Sequence, residues 1–320
     1  MAEALAVWAT YGAVATEIAV LYRRLPDELR ARRGIGWRAG LGQALVFLGH
    51  PVTLAAPALG ALALARLHHR QIMPALARAT AVTATATGLG AVAVKRWNVD
   101  ARPGDALAAA GTGLALALTA EAVRTCGVGE AATWGGDDRF RLGAAAVIVA
   151  VGLPWIFADA GVYVGDMPII GGPYASRGYV HLGHHHGTDG LLLALTALAL
   201  SRQIGRVRSG PQREALSGYL SLLLVYGIAR AAQDAWHEQV WKRGWTTFVL
   251  PEVVKRGRPV ATPAWGVLLG AAGLVHGRWS RRADRVHRVR GSDARWPFRR
   301  PSRTGTIGPV KALYPGGSEP

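Results

Sequence analysis

Cysteine occurs once in these 320 residues, at Cys126, so no intrachain disulfide can staple the fold. Lysine is almost as scarce, with Lys95, Lys242, Lys255 and Lys311 the only four. Charge of either sign is thin, at 18% of residues against roughly 25% in an average soluble domain. The 20 carboxylates are outnumbered by 37 Lys and Arg, which leaves a formal net charge of +17. These shortages exclude a disulfide-stapled secreted domain and a charge-rich disordered chain. A chain that is 50% hydrophobic is also too apolar for a soluble basic nucleic-acid binder, so no nucleic-acid partner is expected.

What fills the chain instead is a series of long charge-free runs. Ala39–Ala65 holds 27 residues, Pro259–Gly277 holds 19 and Leu142–Ala158 holds 17 without a single Asp, Glu, Lys or Arg. At about 1.5 Å rise per residue, the first exceeds a hydrocarbon core of about 30 Å. Glycine and alanine recur within the runs, as close helix packing in lipid allows. The pattern predicts an all-α, polytopic transmembrane bundle over residues 1–277. About eight spans (seven to nine) are expected, at 4–22, 39–65, 72–94, 105–123, 142–164, 180–201, 214–236 and 259–277. The N-terminus lacks the basic segment and cleavage site of a secretory signal, so the first span is expected to be retained. A bacterial cell-membrane protein is expected from the arginine- and alanine-rich composition.

Residues 278–320 read as a basic, disordered tail carrying eleven of the 37 basic residues, with Trp279, Trp296 and Phe298 among them. A segment of this kind beside a membrane attracts anionic lipid headgroups. The excess of basic residues on the side of the termini favours cytoplasmic termini, although the cluster from Arg23 to Arg38 pulls the other way.

Polar chemistry gathers at three places. In His181-Leu-Gly-His184-His185-His186-Gly-Thr-Asp189, a helical step of about 100° puts His181, His184, His185 and Asp189 on one face. That spacing suits a transition metal such as zinc or iron, and it suits equally a solvated helix end. The next stretch is Arg230, Gln233, Asp234, His237, Glu238 and Trp241, a polar stripe that follows fifteen charge-free residues. Charges at membrane depth normally face a bundle interior. Asp234 can neutralise Arg230 across one turn, which leaves His237 and Glu238 as acid/base groups or ligands. The third place is the loop from Lys95 to Asp105, where Lys95 and Arg102 can steer an anion.

Two short strings resemble known families. The five residues from His181 to His185 resemble the HxxHH box of membrane fatty-acid desaturases and hydroxylases, which implies a metal, but no second box occurs. Lys95-x6-Arg102-Pro103 resembles the first motif of the type 2 phosphatidic acid phosphatases, which implies a role for Lys95 and Arg102 in holding phosphate. The Ser-Gly-His of that family is missing, and Arg230 and His237 stand one residue farther apart than its last motif requires.

With eight spans, all three polar stretches open on one membrane face as a vestibule. His185, His237, Glu238 and Asp234 are the candidate catalytic groups. Lys95, Arg102 and Arg230 are the candidate anion-binding groups, and His181, His184, His185, Asp189 and His237 the candidate metal ligands. The expected activity is that of a metal-dependent membrane enzyme acting on a lipid or another hydrophobic substrate. A lipid-phosphate phosphatase or phosphotransferase, and a transporter or non-catalytic membrane component, are the alternatives.

Overall fold

A computed structural model describes residues 1–24, 37–68, 103–128, 135–159, 186–241, 244–251, 254–255, 258–259 and 262–293. The described chain is helical: α1 (Ala2–Arg24), α2 (Trp37–His68), α3 (Pro103–Cys126), α4 (Gly136–Asp159), α5 (His186–Ser201), α6 (Gly210–Trp236) and α7 (Ala264–Asp293). A 3₁₀ turn at Ile204–Arg206 and a π-turn at His237–Trp241 adjoin α5 and α6. The strand pair Val254–Lys255 (β1) and Arg258–Pro259 (β2) is antiparallel and only two residues deep. Among the described residues, four stretches are long and apolar enough to cross a membrane: Ala2–Leu21, Phe47–Leu67, Leu107–Cys126 and Gly210–Trp236. The expected span at 72–94 lies outside the described residues.

Contacts between named residues fix the helix directions. Gly40 of α2 packs on the Ala19 carbonyl of α1, and Tyr11 reaches Pro51, so these helices are antiparallel. Gly60 faces Ala115 and Leu118 of α3, and the Cys126 thiol meets the Arg66 carbonyl, so α2 and α3 run parallel. The antiparallel pair α5 and α6 forms the most extensive interface. One end of the bundle therefore gathers Met1, Leu67, Cys126, Gly135, Ser201 and Gly210; it is the Met1 end. The opposite end gathers Arg24, His186 and Trp236.

Local sequence explains several helix limits. Gly127 takes a φ of 67° just beyond α3 and donates its N–H to the Val123 carbonyl at 2.8 Å, the left-handed stop that glycine adopts most cheaply. Pro211 sits in the first turn of α6, where an absent N–H costs nothing. Pro51 and Pro57 lie inside α2, where each removes a backbone donor. Neighbouring tyrosines supply donors in that stretch: Tyr11 to the Pro51 carbonyl at 3.4 Å and Tyr219 to the Leu54 carbonyl at 2.6 Å.

The core is built from leucine and alanine, with Leu59, Leu193, Leu200 and Leu220 fully buried. The bundle boundary expected at Gly277 falls inside a helix, because α7 continues to Asp293. Buried Trp279 and Ala283 hold that extension against the core, and Arg282 pairs with Asp137. The basic segment therefore begins as a packed helix, because Trp279 and Ala283, one turn apart, are apolar and turned inward.

Candidate functional site

The first turn of α5 carries Thr188 and Asp189, both buried. A carboxylate there meets the partial positive charge of the helix N-terminus. Two glycines allow the approach that buries it. A Cβ on Gly190 would strike the Gly227 carbonyl, and one on Gly227 would lie 2.7 Å from both the Gly190 carbonyl and the Ala194 nitrogen. The backbones of α5 and α6 thus cross in contact. Gly187 is required in the same way, because the Trp155 ring fills the space beside it.

The crossing brings the start of α5 against the polar stripe of α6. Arg230 and Asp234 are each 8% exposed and Asp189 is 3% exposed, so three charged side chains are withdrawn from solvent within this region. Tyr226, one turn before Arg230, lies in electrostatic range of both Arg230 and Asp189. Its hydroxyl meets His50 Nε2 at 3.3 Å. Tyr11, which also feels Asp189, meets the Thr196 hydroxyl at 3.2 Å. His50, Tyr226, Arg230, Asp189, Tyr11 and Thr196 form a polar file through the α1, α2, α5 and α6 interface.

Burial falls along the stripe from Arg230 toward Trp241. Gln233 and His237 are half-buried and Trp241 is exposed. The helix widens into the π-turn at His237, where the imidazole stacks on Trp241 at 4.6 Å between centroids and 13° between planes. Single π-turns recur where a helix re-aims a side chain. Trp236 donates to the Phe248 carbonyl at 2.8 Å and so ties the following loop to this end. The stripe thus leads from the bundle interior at Arg230 to its surface at Trp241.

Of the expected site residues, the structure brings Asp189, Arg230 and Asp234 into one buried region, with His237 one turn outward. Lys95, Arg102, His181, His184 and His185 lie outside the described residues, as does the side chain of Glu238. Among the described residues, no three His, Cys, Asp or Glu side chains converge as a ligand set. The arrangement withdraws charges of both signs into a low-dielectric interior, where charge is costly unless partnered.

Two further polar clusters join residues far apart in sequence, and the sequence reading missed both. At the Met1 end, Asp138 accepts from the Gly135 N–H at 3.0 Å, Arg202 Nε at 3.0 Å and Arg141 Nη1 at 3.2 Å. Arg202 also pairs with Glu3 at 3.4 Å, and Gln203 donates to Glu3. Burial alone would raise the Asp138 carboxyl, but the Gly135 N–H and the two guanidiniums outweigh it and hold the group below its ordinary range. Between α6 and α7, His276 Nδ1 meets Ser217 Oγ at 3.1 Å and Nε2 meets Glu214 at 3.4 Å, while Ser280 donates to Glu214 at 2.7 Å. Ser217 is fully buried, so this Ser–His–Glu group clasps two helices and presents no accessible nucleophile. No local spacing could have revealed pairs 59 to 200 residues apart.

No known protein family, curated protein or solved structure matches this chain.

Proposed function

We propose that this protein is an eight-span membrane enzyme with its termini on the cytoplasmic side. Its active site is the vestibule at the end opposite Met1, and its substrate is a lipid or another hydrophobic molecule. The observation that carries the reading is the burial of Asp189, Arg230 and Asp234 at the glycine-paired crossing of α5 and α6. Charges in such a place are expensive and are kept where they act on an ion, a proton or a substrate. Alternation also favours eight spans. Leu67 and the start of α3 lie at opposite ends of the bundle, and an added span between them returns every later helix to its observed direction.

A transition metal, zinc or iron, would be held by His181, His184 and His185 with Asp189 one turn on, and His237 would reach the site from α6. The metal would act as a Lewis acid or supply an activated water. Arg230 and Asp234 would balance charge beneath it, Glu238 would serve as acid or base, and Lys95 and Arg102 would attract an anionic group. Elemental analysis of the purified full chain tests this reading. One equivalent of metal is expected, falling strongly in Asp189→Asn and in the paired His181→Ala/His185→Ala variant; metal-free protein that retains activity overturns it.

The polar file from His50 and Tyr226 to Tyr11 and Thr196 favours a transporter as the second reading, because it carries exchangeable protons into the bundle. Proton-coupled uptake into proteoliposomes, abolished by Asp189→Asn, would select it.

A further inference from the structure

At the Met1 end, on the far side of the bundle from the vestibule, α1 and α4 form two walls over a floor made by α5. The cleft between them has a volume of about 300 Å³. Its length can be read along α5, from Leu192 to Arg202, or about 15 Å at 1.5 Å per residue. That is half of the ~30 Å hydrocarbon thickness, the depth of one leaflet. Val7, Leu142, Leu195 and Leu198 line its body, and Ala6, Ala145 and Ala199 keep it narrow. Tyr11 and Thr196 line it partway along, and Asp138, Arg141 and Arg202 stand at its mouth.

The mouth favours an anion. Asp138 and Glu3 are neutralised there by Arg141 and Arg202. Arg141 donates through Nε to Ser201 at 2.8 Å and through Nη1 to Asp138, while its Nη2 makes no hydrogen bond among the described residues. Arg139, Arg206 and Arg208 add positive charge to the same end of the bundle. Beside the cleft, α4 exposes Leu142, Val147 and Val151, a surface suited to contact with lipid chains.

We infer that this cleft binds one acyl chain of an anionic glycerophospholipid from the Met1-side leaflet, with the phosphate at Arg141. A narrow cleft of about 300 Å³ with an apolar body and guanidiniums at one end suits a single acyl chain with its headgroup at the mouth. The inference rests on the membrane-bundle reading and not on the vestibule or its metal.

The test uses the full chain reconstituted in phosphatidylcholine vesicles that contain a little phosphatidylglycerol carrying a photoreactive group on one acyl chain. After illumination, labelled peptides are mapped by mass spectrometry. Labels should fall on 138–145 and 192–199. Unlabelled phosphatidylglycerol should displace them about fivefold better than added phosphatidylcholine, the factor that one well-placed basic residue contributes at an anionic surface. Ala199→Phe should remove labelling in the cleft and leave labelling elsewhere unchanged. Equal competition by the two lipids, or unaltered cleft labelling in Ala199→Phe, overturns the site. If the variant fails to fold, the wild-type competition decides alone. Failure of the chain to enter vesicles would instead defeat the membrane reading, and bound metal is expected to be the same with either lipid.

Discussion

The two ends of the bundle treat charge differently. At the Met1 end, Glu3, Asp138, Arg141 and Arg202 form ion pairs between α1, α4 and α5 in partly wet surroundings. Arg202 meets Glu3 of α1 and Asp138 of α4, and Arg141 meets Asp138 within α4, so the cluster ties helix ends together. Toward the other end, Asp189, Arg230 and Asp234 lie inside the helix packing, beside a crossing that tolerates only glycine. The first arrangement stabilises helix order at modest cost. The second costs more in desolvation than a hydrophobic replacement would, so stability is a poor explanation for keeping it.

Truncating the interior cation should have the largest effect. Arg230→Ala leaves Asp189 and Asp234 buried without that guanidinium, and a loss of about 3–5 kcal/mol is expected from thermal or denaturant unfolding in detergent. A loss below about 1 kcal/mol would make the two ends energetically alike and remove the contrast. Gly227→Ala comes next. Its Cβ would lie 2.7 Å from backbone atoms of α5, which cannot yield as a side chain can, so about 3 kcal/mol of overpacking is expected.

Arg202→Ala, at the Met1 end, should cost about 1.5–3 kcal/mol, the worth of hydrogen bonds to charged groups, and should leave metal content and activity intact. Loss of activity in that variant would merge the two ends into one functional unit.

The smallest effect concerns pH. The Asp138 carboxyl is depressed in the folded protein, so its contribution to stability is present above the ordinary carboxylate value of about 3.9. That contribution is lost as pH falls through the depressed value. Asp138→Asn removes this acid-sensitive contribution, so its stability should fall less steeply on acidification, and its acid unfolding should lie at lower pH, than in other variants equally destabilised at neutral pH.

The helices at 4–22, 39–65, 105–123 and 214–236 were legible because a run without charge reports directly on burial in an apolar medium. The helical extension from Gly277 to Asp293 was not legible, because arginine density masked the buried positions Trp279 and Ala283. The polar stripe was read as one α-helical face. Its outer part is a π-turn, a change of pitch that the packing around His237 and Trp241 sets.

The sequence by itself determined that the chain forms apolar helices and that polar residues cluster at 230–238. Both properties depend on residues close together in the chain and on their transfer between water and an apolar phase. Only the tertiary structure decided which of those residues share a site. It set the first turn of α5, which carries Asp189, against the turn of α6 that carries Arg230, through a glycine contact 37 residues apart in sequence, from Gly190 to Gly227. It also joined Glu3 to Gln203 and Glu214 to His276. Such pairings depend on which helix faces meet, and the composition of a single helix carries no record of its neighbour.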